Sequence, residues 1–249
     1  MANSLKEIKA FLNANRYEEV PTAQHDLERG LHPFVTISRE YGAGGHGLAQ
    51  YLLKLFENQD SPLFQGWRIL DRELCEKLVA DNQLNQSIRA LLSEKYQSEI
   101  EALVFSLLGE PSQKTLIYTR LFELIRTLAT FGKVIIIGRA GCCITKSLPL
   151  GIHIRLVAPL EYRRERMESV GRQSKRLVQQ IDRDRSRFLK VHFNRDISDP
   201  LLYDIVFNTG KVPLASAAQV ILTMIHSKIA EEENQQTLEL SAFQPVQQT

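Results

Sequence analysis

The chain has 249 residues and 43% of them are hydrophobic, which is enough to build one folded domain that carries a sizeable insertion. Its 31 Lys and Arg nearly balance 29 Asp and Glu, and a net charge of +2 excludes a histone-like nucleic-acid binder. Cys75, Cys142 and Cys143 offer no CxxC spacing for zinc or redox chemistry, and each is expected as a small buried apolar residue. No apolar run reaches about 18 residues, and the N-terminus lacks a signal-peptide pattern. We therefore expect a reduced protein of the cytoplasm.

Periodicity divides the chain into an N-terminal helical appendage (1–32), a main domain (33–230) and a disordered Gln- and Glu-rich tail (231–249). Short runs rich in β-branched residues predict strands at 34–38, 68–70, 133–138, 152–158 and 204–208. Between them, helical patterns fall at 48–56, 72–80, 85–108, 113–131, 159–170, 174–193 and 213–230. Strands that alternate with helices predict a three-layer α/β fold with a parallel sheet.

A glycine-rich loop stands between the first predicted strand and its helix, and it reads Tyr41-Gly-Ala-Gly-Gly-His-Gly47. Backbone amides without Cβ atoms can turn towards an anion at a helix N-terminus, so the loop is suited to cradle phosphate. Against the Walker A pattern, Arg39 takes the place of the first glycine and Gly45 that of the lysine. Arg39 or His46 would have to supply the missing charge. The alternative is a turn that lets strand and helix pack closely.

Two charged residues follow predicted strands directly. Arg139 comes after an apolar run and a glycine, at the strand end where ligands bind in open α/β sheets. Its alternative role is a structural ion pair with a neighbouring carboxylate. Asp71 also follows a strand, and its alternative role is a helix N-cap supported by Glu73.

The segment 160–190 is basic, with ten Lys and Arg against five acids. A solvent-exposed charged helix is one interpretation and a lid over polyphosphate is the other. The segment lacks the interleaved aromatic residues that bind nucleic-acid bases, which disfavours RNA or DNA as a partner. The predicted hairpin at 85–131 carries an apolar stripe at helical spacing, interpreted as core rather than as a base-stacking platform: Tyr118, Leu121, Phe122, Ile125 and Leu128.

Five motifs follow one another in an order that resembles the cytidylate kinase-like family. They are Glu40-Tyr-Gly-Ala-Gly-Gly-His-Gly-Leu-Ala49, Leu70-Asp-Arg-Glu-Leu74, Val134-Ile-Ile-Ile-Gly-Arg-Ala140 with the strand and helix up to Arg166, Ile181-Asp-Arg-Asp-Arg-Ser-Arg187, and Leu202-Tyr-Asp-Ile-Val-Phe-Asn-Thr209. In that family a Gly-Ser-Gly-Gly-Arg type of loop replaces the ordinary Walker A loop. The resemblance extends over roughly residues 34–228.

The resemblance implies a P-loop NTPase fold with five parallel strands, an acceptor-binding helical insertion (85–131) and an arginine-rich lid (171–195). It implies that the donor phosphates are bound at Gly42, Ala43, Gly44, Gly45, His46 and Gly47, beside Arg39. Around the acceptor and the transferring phosphate it places the catalytic Arg139 and Arg185, with Asp71, Asp182, Arg183 and Arg187 also binding nucleotide. The cofactors implied are ATP and Mg²⁺, and no metal site built from protein side chains alone is expected.

The sequence departs from the family pattern at four places: Gly45 replaces a lysine, His46 an arginine, Ala140 an aspartate, and Cys142-Cys143 polar or aromatic residues. Two functions stay open. The first is an ATP-dependent phosphotransferase that acts on a nucleoside monophosphate, CMP or dCMP, or on a related small acceptor. The second is a catalytically weak or inactive nucleotide-binding regulator, which the missing lysine favours. Nucleotides are the expected partners, and the insertion could also form a homodimer interface.

Overall fold

The computed structural model describes residues 32–92, 94–109, 112–169, 171 and 175–242, so nearly all of the N-terminal appendage expected at 1–32 lies outside the described residues. The strands are β1 (Phe34–Arg39), β2 (Arg68–Leu70), β3 (Val134–Ile137), β4 (Gly151–Val157) and β5 (Ile205–Asn208). They form one sheet in the order β2-β3-β1-β4-β5, and every neighbouring pair is parallel. The predicted five-stranded parallel sheet is confirmed.

The helices are α1 (Gly45–Glu57), α2 (Arg72–Val79), α3 (Asn82–Ala90), α4 (Glu94–Leu108), α5 (Gln113–Phe131), α6 (Gly141–Ile144), α7 (Leu160–Glu168), α8 (Lys175–Phe193) and α9 (Leu214–Ala242). Two short 3₁₀ turns cover Pro62–Phe64 and Pro200–Leu202. In the part of the chain that the structure describes, no helix is long and apolar enough to cross a bilayer.

The helices differ from the sequence prediction at three places. The helix expected at 85–108 is two helices, because Asp81 caps α3 through Leu84 N and α3 ends at Ala90. The short helix α6 was not predicted. The tail expected to be disordered from 231 is helical as far as Ala242, since 231–242 is rich in Glu, Gln, Leu and Ala and contains no Gly or Pro.

The sheet lies between two apolar layers, as the alternation of side chains along β1 requires. Val35 and Ile37 belong to the layer that contains Leu48 and Leu52 of α1 and residues of α9. Phe34 points to the opposite layer, where it joins residues of α2 to α5. The three-layer architecture predicted from the sequence is therefore confirmed.

The order of the strands places a crevice at the carboxyl ends of β1 and β3. β1 pairs with β3 on one side and with β4 on the other, so Ile37 lies between Ile137 and Ile154. The helix that follows β1 packs in one apolar layer and the helix that follows β3 packs in the other. Connections that leave in opposite directions open the sheet at this point, and ligands of open α/β sheets bind there.

Candidate active site

The glycine loop joins β1 to α1 and is shaped by contacts with α7. Gly42 has φ +83°, and a Cβ there would lie 2.8 Å from the carbonyl oxygen of Arg163. Gly44 caps α1 with φ +97° and provides no side-chain hydrogen bond to the helix. Backbone N–H groups at the start of the helix are thus left to a ligand or water. Ala43, between them, is fully buried and its carbonyl accepts a hydrogen bond of 2.9 Å from Thr209 Oγ1.

A guanidinium lies at the loop, where the sequence has no lysine. Arg166 of α7 approaches Gly44 so closely that a Cβ there would be 2.6 Å from its Nη1, and one at Gly47 would be 3.4 Å from its Nη2. His46 is exposed, with Nε2 3.2 Å from Nε2 of Gln50. Sequence reasoning missed Arg166 as a site residue, although the excess of basic residues at 160–190 pointed to its neighbourhood.

Two cavities meet at this edge of the sheet. The donor cavity, as we call the one at the glycine loop, has a volume of about 680 Å³ and includes Gly42, Gly44–Gly47, Asp71 and Arg166 in its lining. The acceptor cavity, of about 500 Å³, lies against β1, β3, α5, α6 and α8. Both cavities are lined by the same four residues, which are Arg39, Tyr41, Arg72 and Arg185. The boundary between them is therefore rich in arginine.

The lining of the acceptor cavity combines apolar side chains with arginines. Tyr118 and Phe188 contribute stacked rings 5.9 Å apart with 26° between their planes, and Leu121 also lines the cavity. The stripe on α5 is thus not only core, because Tyr118 and Leu121 also line the cavity. Arg39, Arg72, Arg139 and Arg185 lie in the rest of the lining, and they supply the positive charge.

Arg39, Arg139 and Arg185 repel one another. Burial, followed by the charges of Arg185 and Arg139, lowers the pKa of Arg39 to about 9, while Asp71 opposes the shift. Burial also lowers the pKa of Arg185, and the negative charge of Asp182 partly offsets this shift. Guanidinium groups held together in this way form a site for a multiply charged anion such as phosphate.

Arg139 sits on strained backbone at the end of β3. Arg139 has φ +57° and the following Ala140 has φ +54°, a left-handed conformation that non-glycine residues rarely adopt. Its Nη2 lies 3.5 Å from Oε1 of Glu76, which also accepts a 2.7 Å hydrogen bond from Arg72 Nε. The structural ion pair considered for Arg139 is therefore present, while its side chain still lines the acceptor cavity.

Asp71 and Asp182 both have structural roles in addition to their place near the site. Asp71 Oδ1 accepts a 3.0 Å hydrogen bond from Leu74 N as the N-cap of α2, and the residue also lines the donor cavity. Asp182 accepts from Tyr41 N at 2.7 Å and from Nη1 of the buried Arg163 at 2.6 Å. Its carboxylate joins α8 to the glycine loop, and nucleotide binding by Asp182 stays a prediction.

Arg183 and Arg187 do not reach either cavity. Both are exposed, and Arg183 Nη2 donates a 2.9 Å hydrogen bond to Gln180 Oε1 on the same helix. The residues of α8 that line the acceptor cavity are Ile181, Asp184, Arg185, Phe188 and Leu189. At 100° per residue, positions 183 and 187 fall on the opposite face, and nucleotide binding by these two residues stays a prediction.

Arg185 lies where the sequence placed it. Its Nη1 donates a 3.1 Å hydrogen bond to the carbonyl oxygen of Arg39 and lies 3.8 Å from Oδ1 of Asp182. Its guanidinium carbon is 5.6 Å from the centre of the Tyr41 ring. These contacts fix it at the boundary of the two cavities.

A buried arginine that sequence reasoning missed supports the floor of the acceptor cavity. Arg155 of β4 is 7% exposed, and its Nη1 donates a 3.1 Å hydrogen bond to Ser38 Oγ. Ser38 Oγ is also 3.3 Å from Tyr203 Oη, and Ser38 lines the acceptor cavity. The available signal was a charged residue inside the otherwise apolar strand 152–158.

Comparison with known protein families identifies the family of the chain. The family model described as "Cytidylate kinase-like family" matches residues 34–211. The chain belongs to the cytidylate kinase-like family. The match begins at β1 and ends just after β5, so it contains both cavities.

Solved structures with similar folds are distant in sequence. An uncharacterized protein from Eubacterium ventriosum superimposes with a TM-score of 0.60 at 20% identity, over 79% of this chain and 99% of that one. A shikimate kinase from Acinetobacter baumannii in complex with shikimate gives a TM-score of 0.42 at 15% identity, over 81% of this chain and 97% of the kinase. The comparison with curated proteins finds no match. The first similarity supports the fold alone.

Proposed function

We propose that this protein is an ATP-dependent phosphotransferase that phosphorylates a nucleoside monophosphate, with CMP or dCMP as the first choice, or a related small acceptor. The observation that carries the proposal is the boundary shared by the two cavities, where Arg39, Arg72 and Arg185 line both. A phosphoryl group passing from one cavity to the other would cross this boundary. Membership of the cytidylate kinase-like family and its kinase-like fold support this assignment.

The donor side suits a polyphosphate. The N-terminus of α1 offers backbone N–H groups and the positive end of the helix dipole, and Arg166 adds a full charge next to Gly44 and Gly47. Arg166 therefore does the work that a lysine performs in ordinary Walker A loops. ATP, as the phosphate donor, fits these groups.

Mg²⁺ fits this site as an ion bound mainly to the phosphates of the nucleotide. No cluster of three or more His, Cys, Asp or Glu that could hold a metal exists among the described residues. Mg²⁺ commonly uses one or two carboxylates together with substrate phosphates, and Asp71 lines the donor cavity. When bound, the ion would neutralise charge on the donor phosphates.

The acceptor side suits a molecule with a planar apolar part and an anionic part. Tyr118 and Phe188 offer aromatic surface for a base, and Arg139 and Arg185 offer charge for its phosphate. Ser38 and Asp184 provide polar groups between them. In the reaction, an oxygen of the acceptor phosphate bonds to the γ-phosphorus of ATP, the bond to the bridging oxygen breaks, and ADP leaves.

The chain's own contribution to this reaction is positioning and stabilisation of charge. The three arginines at the boundary surround the place where negative charge spreads over the transferring group. Because Arg185 and Arg139 repel Arg39, a bound phosphate would relieve that repulsion.

A second candidate function is a nucleotide-binding regulator of the same fold with little or no turnover. Gly45 in place of the lysine favours it, and so does the contact that ties Arg139 to Glu76. Such a protein would bind nucleotide in the donor cavity and form no product.

The test combines calorimetric titration of ATP, GTP, CMP and dCMP in the presence of Mg²⁺ with an assay for nucleoside diphosphate. We expect CMP-dependent ADP formation that Arg139→Ala abolishes and that Arg183→Ala, on the opposite face of α8, leaves intact. Binding without product would select the regulator. No binding at millimolar nucleotide would overturn both functions.

A homodimer through 85–131 stays a prediction, as do the domain boundaries and the cytoplasmic location. Phe105, Leu116 and Ile117 are large exposed apolar residues on α4 and α5. They offer a surface that sedimentation of the wild-type chain beside Phe105→Glu and Leu116→Glu can test.

A further inference from the structure

Two adjacent thiols lie in α6, directly after the strained pair Arg139-Ala140. The sulfur atoms of Cys142 and Cys143 are 3.9 Å apart. Cys142 is buried and lines the acceptor cavity. Cys143 is partly exposed and lines other cavities, one of which has a volume of about 290 Å³. The pair therefore connects the acceptor cavity with a surface open to small oxidants.

The surroundings of Cys143 favour its thiolate. Lys146 and Arg195 line the same small cavity as Cys143. The hydrogen bond between the two sulfur atoms, together with the charges of Arg195 and Lys146, lowers the pKa of Cys143 against the opposing effect of burial. The same contact and burial raise the pKa of Cys142. A thiolate beside cations, with a second thiol in contact, is the arrangement found at oxidation-sensitive cysteines.

The chain contains its own reference thiol. Cys75 is fully buried in the apolar layer of α2 to α5, and burial raises its pKa to about 12. Such a thiol is expected to be inert. The rate of oxidation at Cys143 can therefore be compared with the rate at Cys75 in the same molecule.

We propose that Cys143 is a redox modification site which a hydroperoxide oxidises, and that Cys142 resolves the product to a disulfide between the two neighbours. In the first step the Cys143 thiolate attacks one oxygen of hydrogen peroxide, the O–O bond breaks, and with one proton taken up the products are a sulfenic acid and water. In the second step the Cys142 sulfur attacks the Cys143 sulfur and the S–O bond breaks. The thiol proton and the hydroxyl leave as water, so two thiols and one peroxide give one disulfide and two waters.

The disulfide would reshape the acceptor cavity. Adjacent α-carbons are about 3.8 Å apart, below the roughly 4.4 Å at which ordinary disulfides begin. The link therefore strains the backbone of α6, which is held by hydrogen bonds from Ile144 N to Ala140 O at 3.0 Å and from Thr145 N to Gly141 O at 2.9 Å. Ala140, Gly141 and Cys142 all line the cavity. Strain also makes the disulfide easy to reduce, so the change is reversible.

The experiment oxidises the reduced full-length chain with limiting hydrogen peroxide and follows tryptic peptides by mass spectrometry. Trypsin releases both neighbours together in residues 140–146 and Cys75 in residues 73–77. We expect the first peptide to lose two hydrogen atoms at least about tenfold faster than Cys75 loses its free thiol. Equal rates at the two peptides would overturn the proposal, and this comparison needs no variant.

Two variants assign the roles. In Cys142→Ser the Cys143 sulfenic acid should persist and be trapped by dimedone. In Cys143→Ser the reactivity of Cys142 should fall to that of Cys75. If Cys143→Ser reacts as fast as the wild type, Cys143 is not the primary site. Circular dichroism establishes that each variant is folded before its rate is compared.

The effect of the disulfide on acceptor binding rests on the proposed function, and it is measured separately from the thiol chemistry. CMP affinity is titrated for reduced, oxidised and dithiothreitol-treated protein. We expect oxidation to weaken CMP binding about tenfold, a difference of about 1.4 kcal/mol, and dithiothreitol to restore it. Unchanged affinity after complete oxidation would overturn the effect on the cavity. Failure of CMP to bind in any state would count against the proposed function and leave the thiol chemistry standing.

Discussion

The guanidinium of Arg166 packs against Gly44, and it can lie there because residue 44 has no side chain. A Cβ at Gly44 would lie 2.6 Å from Nη1 of Arg166 and 3.1 Å from its guanidinium carbon. Because Gly44 caps α1, this contact brings a full positive charge to the start of that helix. The donor cavity thus receives from α7 the charge that its own loop lacks.

Replacing Arg166 with alanine should reduce ATP-dependent turnover by about 100-fold, the cost of one preorganised charge at a phosphate. Steady-state kinetics and ATP titration measure this loss. Arg164→Ala is the matched control, because Arg164 lies on the same helix and pairs with Glu161 at 3.1 Å on the surface. Equal turnover in the two variants would contradict the role of Arg166.

Replacing Gly44 with alanine should destabilise the fold by about 2 kcal/mol or more, since strain at φ +97° adds to a clash with Arg166. Gly109→Ala is the matched control: Gly109 has φ +70° and a Cβ there would meet nothing within 4 Å. Urea unfolding gives both values. If the two substitutions cost the same, the contact with Arg166 contributes nothing beyond backbone strain.

Replacing Arg39 with methionine should raise the free energy of unfolding of the empty protein by about 1 kcal/mol and abolish nucleotide binding, because a functional charge is held at the expense of stability. Burial and the neighbouring arginines lower its pKa to about 9, below the unfolded value of 12.5. The folded protein therefore loses this proton first. The gain in the free energy of unfolding of Arg39→Met over the wild type should be full at pH 7 and should shrink as the pH rises through about 9. A less stable variant at pH 7 would contradict the interpretation.

Replacing Asp182 with asparagine should lower the free energy of unfolding by roughly 2 kcal/mol, because the buried Arg163 loses the closer of its two carboxylate partners and keeps only Glu40 at 3.3 Å. Asp184→Asn, two positions along α8 and facing the acceptor cavity, should leave stability nearly unchanged. Its effect should appear as a raised KM for the acceptor. Chemical denaturation of both variants shows which carboxylate stabilises the fold. Steady-state kinetics of both variants shows which carboxylate binds the acceptor.

Local patterns in the sequence were sufficient to predict the five strands, most of the helices and the α/β fold class. The five apolar runs became five parallel strands, and the glycine loop, Arg139 and Arg185 came to the edge of the sheet that the motif order implied. Helical periodicity also contained the information that Arg183 and Arg187 point away from Arg185, since positions two apart on a helix do not share a face.

Long-range contacts were decided by the tertiary structure. Local patterns predicted the strands, most of the helices and the family, because these depend on residues within a few positions of one another. It could not show that Arg166 would lie over Gly44, that Asp182 would bind Tyr41 N and Arg163, or that Arg155 would hold Ser38. These pairs are separated by 19 to 141 positions, and only the order β2-β3-β1-β4-β5 brings them together. The charge of Arg166 at Gly44 therefore comes from the fold, while the glycines that allow the loop to turn belong to the local sequence.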